Sequence, residues 1–362
     1  MPPAPSLRTL SLPLLALLAA CGGERPPAPT FELTATGDTI LAPYGDVTDA
    51  AWLGARRFAV IAPQDTAVAA ADFNRHTLRP WGGVRARELD QPFHLFRSGD
   101  SVYVADWARR RLTAWSLTGE YGNALPAPDV LRGALPRERD AAGQWYFELR
   151  SAPGPDGSGN RDSATIARFD AALLRGDTIA HLAPFDLVEV VSNGRRRLER
   201  RLLSGQDRWG VLPDGTVWVA RIADNRIDWR APDGTWRTGD NLPDPVLPIR
   251  QNDRDLFLNQ FDVDLRPTVE AIPFAAIKAP FEQAILATDA RAWLMKSRSV
   301  GDTIRNYQVV DQQGHLVAEA RHAGLGRLLA LSDSLALVGE HFEGGTRLLL
   351  FRLPARPAPA GS

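Results

Sequence analysis

The sequence predicts an all-β protein, a six-bladed β-propeller of four-stranded antiparallel blades, on three observations. Short strand-like segments separated by turn residues fill the chain from Phe31 onward, with one convincing helix, near 252–261, among them. One unit, an apolar run, a turn and a second apolar run, returns six times along the chain. Finally, Phe31 to Ile40 is strand-like but has no blade of its own, while the last copy of the unit is one strand short.

Taken in order, the chain opens with Arg8 and then the apolar stretch Leu10 to Ala20, the length of a signal-peptide core and too short to cross a bilayer. It closes on Leu18-Ala19-Ala20-Cys21, which resembles the lipobox of bacterial lipoproteins. That resemblance implies removal of residues 1–20, lipidation of Cys21 and a place in the cell envelope. Gly22 after the cysteine implies the outer membrane, with the body facing the periplasm. An ordinary secretory signal is the alternative. Residues 21–30, rich in Gly and Pro, read as a tether. Cys21 is the only cysteine, so no disulfide forms within the chain and packing must supply the stability.

The clearest repeat is Pro92 to Leu125: Phe93-His94-Leu95-Phe96, a Ser98-Gly99-Asp100 turn, Ser101 to Asp106, a polar Trp107-Ala108-Arg109-Arg110 link, Arg111 to Leu117, and Tyr121 onward. Clear copies recur at Asp214 to Trp236 and Asp289 to Leu316, with weaker ones around Arg57 to Ile61, Gln144 to Leu149 and Ser334 to Val338. Their second strands centre near residues 59, 103, 147, 218, 293 and 336, a propeller period of about 40–50 residues with two enlarged intervals. The first interval holds an Ala152-to-Asp162 loop and a Leu187-to-Arg201 hairpin. The second, Pro245 to Pro280, holds the helix, with Asn252 as its cap and Leu256, Phe257, Gln260 and Phe261 on one side. Phe31 to Ile40 is expected to complete blade six. The ring then spans 31–354, and 355–362 is a Pro/Ala-rich tail. Seven blades, one hidden in an enlarged interval, is the rival count.

Val102-Tyr103-Val104-Ala105-Asp106, followed by Arg111-Leu112 and Leu117-Thr118-Gly119, is similar to an NHL repeat. The mature chain as a whole resembles six-bladed NHL-like or TolB-like propeller lipoproteins of uncharacterised function. By that resemblance Asp106 caps its own loop.

Chemistry is harder to find. The net charge of −1 gives no support to nucleic-acid binding. Six scattered histidines show no zinc spacing, and there is no nucleophile elbow or phosphate loop. Asp156 to Asp162 alternates oxygen ligands as a calcium loop does, but Arg161 occupies the glycine position and no glutamate follows at the right distance, so an exposed tip is expected. Arg195 to Arg201 reads as a solvated hairpin, with contact to anionic head groups as the alternative. Nine of the ten tryptophans (Trp81, Trp107, Trp115, Trp145, Trp209, Trp218, Trp229, Trp236 and Trp293) recur in the copies, and most are expected to pack between blades, with Trp107, in a link, as the exception.

Propeller topology puts the links between second and third strands on the same face as the links entering the first strands. That face is expected to collect His94, Trp107, Arg109, Arg110, Arg221, Arg226, Lys296, Arg298 and His341, with Asp106, Asp224 and Glu340, around one mouth of the channel. The basic excess suits an anionic ligand. Three function classes stay open. One is a non-catalytic binding or assembly module, whose partner is an envelope protein or a small anion and which needs no cofactor. Another is a metal-dependent lactonase- or hydrolase-like enzyme with a divalent ion in the channel. The third is a purely structural propeller.

Overall fold

The computed structural model describes residues 27–81, 89–131, 133–150, 164–192 and 194–354. The expected signal peptide, Cys21, most of the expected tether, and the segments 152–162 and 355–362, expected to be a loop and a tail, lie outside the described residues.

The second strand of each copy is apolar on both sides because both faces are covered by neighbouring sheets. Arg57–Ala62, Ser101–Asp106, Trp145–Arg150, Val217–Arg221, Ala292–Lys296 and Leu335–Phe342 are these strands, one for each expected centre. Each pairs antiparallel with a first strand on the axis side: Asp49–Gly54, Pro92–Ser98, Pro136–Arg139, Arg208–Val211, Phe281–Leu286 and Arg327–Leu331 in blades one to six. Third and fourth strands complete four-stranded sheets, giving a six-bladed propeller. Six apolar clusters follow, one between each pair of adjacent blades. The cluster that joins blade six to blade one contains Leu337 and Leu350 against Phe58 and Val60.

Ring closure uses the N-terminal segment twice. Thr34–Ala42 pairs antiparallel with Gly345–Arg352 as the outer strand of blade six. Thr30–Glu32, expected in that same strand, instead adds a fifth strand to blade five, parallel to Leu316–Ala323. Leu33 is the pivot: its N–H still donates to Arg321 O at 2.8 Å, and its buried side chain joins the core between blades five and six. Phe31 sets its ring edge-on to Trp293, 6.0 Å between centroids.

Trp81, Trp115, Trp145, Trp218, Trp229 and Trp293 are buried between blades, and Trp107 is 64% exposed, as expected. Trp236 differs: it is exposed, on an edge strand of two residues, Trp236–Arg237. The Leu187–Ser192 and Arg195–Arg200 strands form a separate hairpin. Two of its arginines are ion-paired, Arg196 with Glu189 at 3.4 Å and Arg197 with Glu199 at 2.9 Å.

The second interval folds into α1, Gln251–Leu258, and α2, Arg266–Glu270. The cap of α1 is Arg250, not Asn252. Its N–H donates to Asp253 Oδ2 at 2.9 Å, so the carboxylate at the third helical position closes the turn from inside. Leu256 is exposed rather than packed with Phe257 and Phe261. Both lysines of the chain fasten this insertion: Lys278 Nζ reaches Asp253 Oδ1 at 2.5 Å, and Lys296 Nζ reaches Asp244 Oδ1 at 3.0 Å.

Candidate functional site

The first strands all start on one face, and every one of them brings an ionisable side chain to the wall of the channel within its first three residues. These are Asp49, His94, Glu138, Arg208, Glu282 and Arg327, one from each blade in order. They form a polar girdle around a central cavity of about 960 Å³ whose wall also carries Trp52, Phe93, Phe96 and Trp209.

Hydrogen bonds run between blades along much of the girdle. An Arg327 guanidinium N–H donates to Thr48 O, joining blade six to blade one. Asp49 Oδ2 accepts from His94 Nδ1 at 2.7 Å and from Leu95 N at 3.3 Å, joining one to two. His94 Nε2 lies 3.0 Å from Arg137 O, joining two to three. Both partners of the His94 ring are acceptors, so the arrangement is satisfied fully only by an imidazolium with a proton on each nitrogen. Burial pulls the His94 pKa down, but the hydrogen bond and charge of Asp49 outweigh it, and the net shift is upward.

Glu138 is the opposite case. It makes no hydrogen bond or ion pair with a described residue, and burial pushes its carboxyl up to about 7, against the charge of His94 and with the help of Asp49. Arg208 is a cation in similar straits. Its guanidinium makes one long hydrogen bond, 3.4 Å, to Glu282 O. Burial lowers its pKa, and the charges of Arg137 and Arg200 lower it further. Arg137 itself is paired with Glu148 at 3.2 Å.

Of the nine residues expected at the mouth, the structure puts only His94 on the channel wall. Links between second and third strands sit farther from the axis than the first strands, and their side chains are exposed or held by neighbouring loops and strands. Trp107, Arg109 and Arg110 stand exposed on the blade-two link. Arg221 bonds Asp207 at 3.0 Å and Asp228 at 3.1 Å, and Arg226 bonds Asp228 at 2.9 Å and Asp224 at 3.0 Å. Lys296 is held by Asp244, Arg298 by Asp302 O, and His341 by Gly45 O at 3.0 Å. Asp106, fully buried, caps its link through Arg109 N at 3.0 Å and also ties down the entering loop through Asp90 N at 2.7 Å and Gln91 N at 3.2 Å. Asp49, Glu138, Arg208, Glu282 and Arg327 were missed by sequence reasoning. The available signal was positional: a charged residue opening the segment just before each apolar second strand.

A divalent ion, as the enzyme reading requires, needs several convergent oxygen or nitrogen donors. Among the described residues no group of three or more His, Cys, Asp and Glu side chains is so placed, and the donors present do not fit a metal. No described helix is long and apolar enough to cross a membrane.

Comparison of the sequence with known families and with curated proteins gives no match. Solved structures share the fold at low identity. A protein described as exported, from Bacteroides fragilis, is 10% identical with a TM-score of 0.51, covering 90% of this chain and 99% of its own. Regucalcin, a calcium-binding protein from Agrobacterium tumefaciens, is 10% identical with a TM-score of 0.46, covering 91% and 97%. A gluconolactonase from Xanthomonas campestris is 11% identical with a TM-score of 0.44, covering 90% and 98%. At these identities the likeness is one of architecture, and function has to be argued from the site.

Proposed function

We propose that this protein is an envelope-tethered, non-catalytic propeller that binds an anionic organic molecule in its central channel, with the tether supplied by lipidated Cys21. The observation that carries the channel reading is Arg208. A guanidinium that is largely desolvated, repelled by Arg137 and Arg200 more than Glu148 offsets, and without a carboxylate in ion-pair range among the described residues is a receptor for an anion. Of the other acids of the wall, Asp49, Asp207 and Glu282 are already occupied among the described residues, and Glu138 is not. Asp207 is taken by Arg221, Ala183 N and Ile222 N, and Glu282 by Arg305 at 3.5 Å. The aromatic wall residues favour an apolar body behind the charge.

The test is calorimetric titration of the purified full chain and its Arg208→Gln variant with benzoate and with sulfate. Benzoate is expected to bind the wild type, and the variant to lose about tenfold or more, the worth of one charge-assisted hydrogen bond. Binding unchanged in Arg208→Gln, or none in the wild type, would sink the reading.

A further inference from the structure

Glu138 stands in the girdle among neighbours that each already hold another partner. On blade one, Asp49 Oδ2 accepts from His94 Nδ1 and Leu95 N, and its Oδ1 accepts from Ala50 N at 2.9 Å. On blade two, His94 gives its second nitrogen to Arg137 O. On its own strand, the Arg137 guanidinium pairs with Glu148, and Arg139 donates to Tyr103 OH at 2.7 Å while lying over Trp145. Arg208, Glu282 and Arg327 complete the ring across the channel. No described group pairs with the Glu138 carboxylate.

We propose that the channel takes its ligand as a carboxylate that shares a proton with Glu138, the neutral Glu138 carboxyl donating its O–H to the ligand while Arg208 holds the ligand's charge. This rests on the channel being the binding site and adds the ligand class. Two carboxyl groups at hydrogen-bond distance cannot both ionise, so the arriving anion favours the acid form of Glu138. That form is already half populated near neutrality because the site is desolvated. An O–H donor on the cavity wall with no partner among the described residues is free to donate to a ligand oxygen. Bulk sulfate lacks the apolar body that Trp52, Phe96 and Trp209 would cover.

Benzoate, whose charge is fixed between pH 6 and 9, is the probe. Calorimetry on the full chain across that range, in two buffers of different ionisation heat, gives both affinity and protons taken up. With Glu138 half protonated at pH 7 and about one-hundredth protonated at pH 9, wild-type affinity is expected to fall about fifty-fold between them. Glu138→Gln keeps an N–H donor without a proton to lose. It should bind more tightly than wild type at pH 9 and take up one proton fewer per benzoate at pH 8. The subtraction matters because His94 titrates toward the same window and remains in both proteins. Equal proton uptake and equal pH dependence in wild type and Glu138→Gln, with Arg208-dependent binding intact, overturns the proton-sharing site and leaves the channel reading standing. Loss of benzoate binding at every pH overturns both. Sulfate binding with the same pH dependence overturns the carboxylate assignment.

Discussion

Replacing Asp49 by asparagine removes the charge that bridges blades one and two and leaves the shape in place. The carboxylate accepts from His94 Nδ1 at 2.7 Å, with the two side chains 28% and 26% exposed. A fully buried pair broken on one side costs about 3–5 kcal/mol, and an exposed one about 0–1. A quarter-exposed pair facing a wet channel falls between, and a charged hydrogen bond replaced by a neutral one suggests a loss of about 2 kcal/mol. The loss should depend on pH. The folded-state pKa of His94 is raised, so its contribution is fully present below the unfolded value and disappears as pH rises through the folded one. Asp49→Asn should therefore cost about 2 kcal/mol at pH 5.5 and clearly less at pH 9. Urea unfolding followed by tryptophan fluorescence at both pH values measures it. Glu138 acts in the same sense, since a carboxyl raised to about 7 also makes the folded state bind more protons than the unfolded one. The comparison is best repeated in a Glu138→Gln background. An equal loss at both pH values in that background, or none at pH 5.5, would show that His94 is not held as an imidazolium by Asp49.

Asp106→Ala strips the acceptor from three backbone N–H groups around a fully buried carboxylate. At about 1–3 kcal/mol for each unsatisfied donor, less what water recovers at the exposed link, the expected loss is about 3–5 kcal/mol, read as a drop in the urea midpoint. Cys21→Ser should move the protein from the membrane pellet to the soluble envelope fraction on cell fractionation; retention in the pellet would remove lipidation at Cys21 as the tether.

Architecture was readable because its signal is local. Second strands such as Phe58 to Ala62 and Val217 to Ala220 are continuous buried runs, set there by the sheets on either side. The unpaired N-terminal strand was readable for the same reason, although its division between two blades was not. That division turns on the register of Leu33, which only the assembled ring defines. The channel girdle was not readable. Pro136–Arg139 and Arg208–Val211 are four residues long, too short for a period, and Glu138 and Arg208 acquire their character only from burial among other blades. Arginines on the links drew attention because polar clusters are visible in sequence. How far a link stands from the axis is written nowhere in it, and Arg221 and Arg226 serve Asp207, Asp224 and Asp228 instead.

The outer strand of blade six also sets a timetable. Thr36 Oγ1 donates to Leu350 O across 314 positions of chain. At a synthesis rate of about 5–20 residues per second, Thr34–Ala42 emerges about 15–60 s before its partner exists. Until then an early strand with a free edge travels beside unfinished neighbours, exposed to pairing with the wrong chain. Thr34, Thr36, Asp38 and Thr39 on that strand keep it short of apolar surface during the wait. Any screen for poor yield or misassembly should therefore look first at the opening residues of the fold, whose defects would surface only when the final blade arrives.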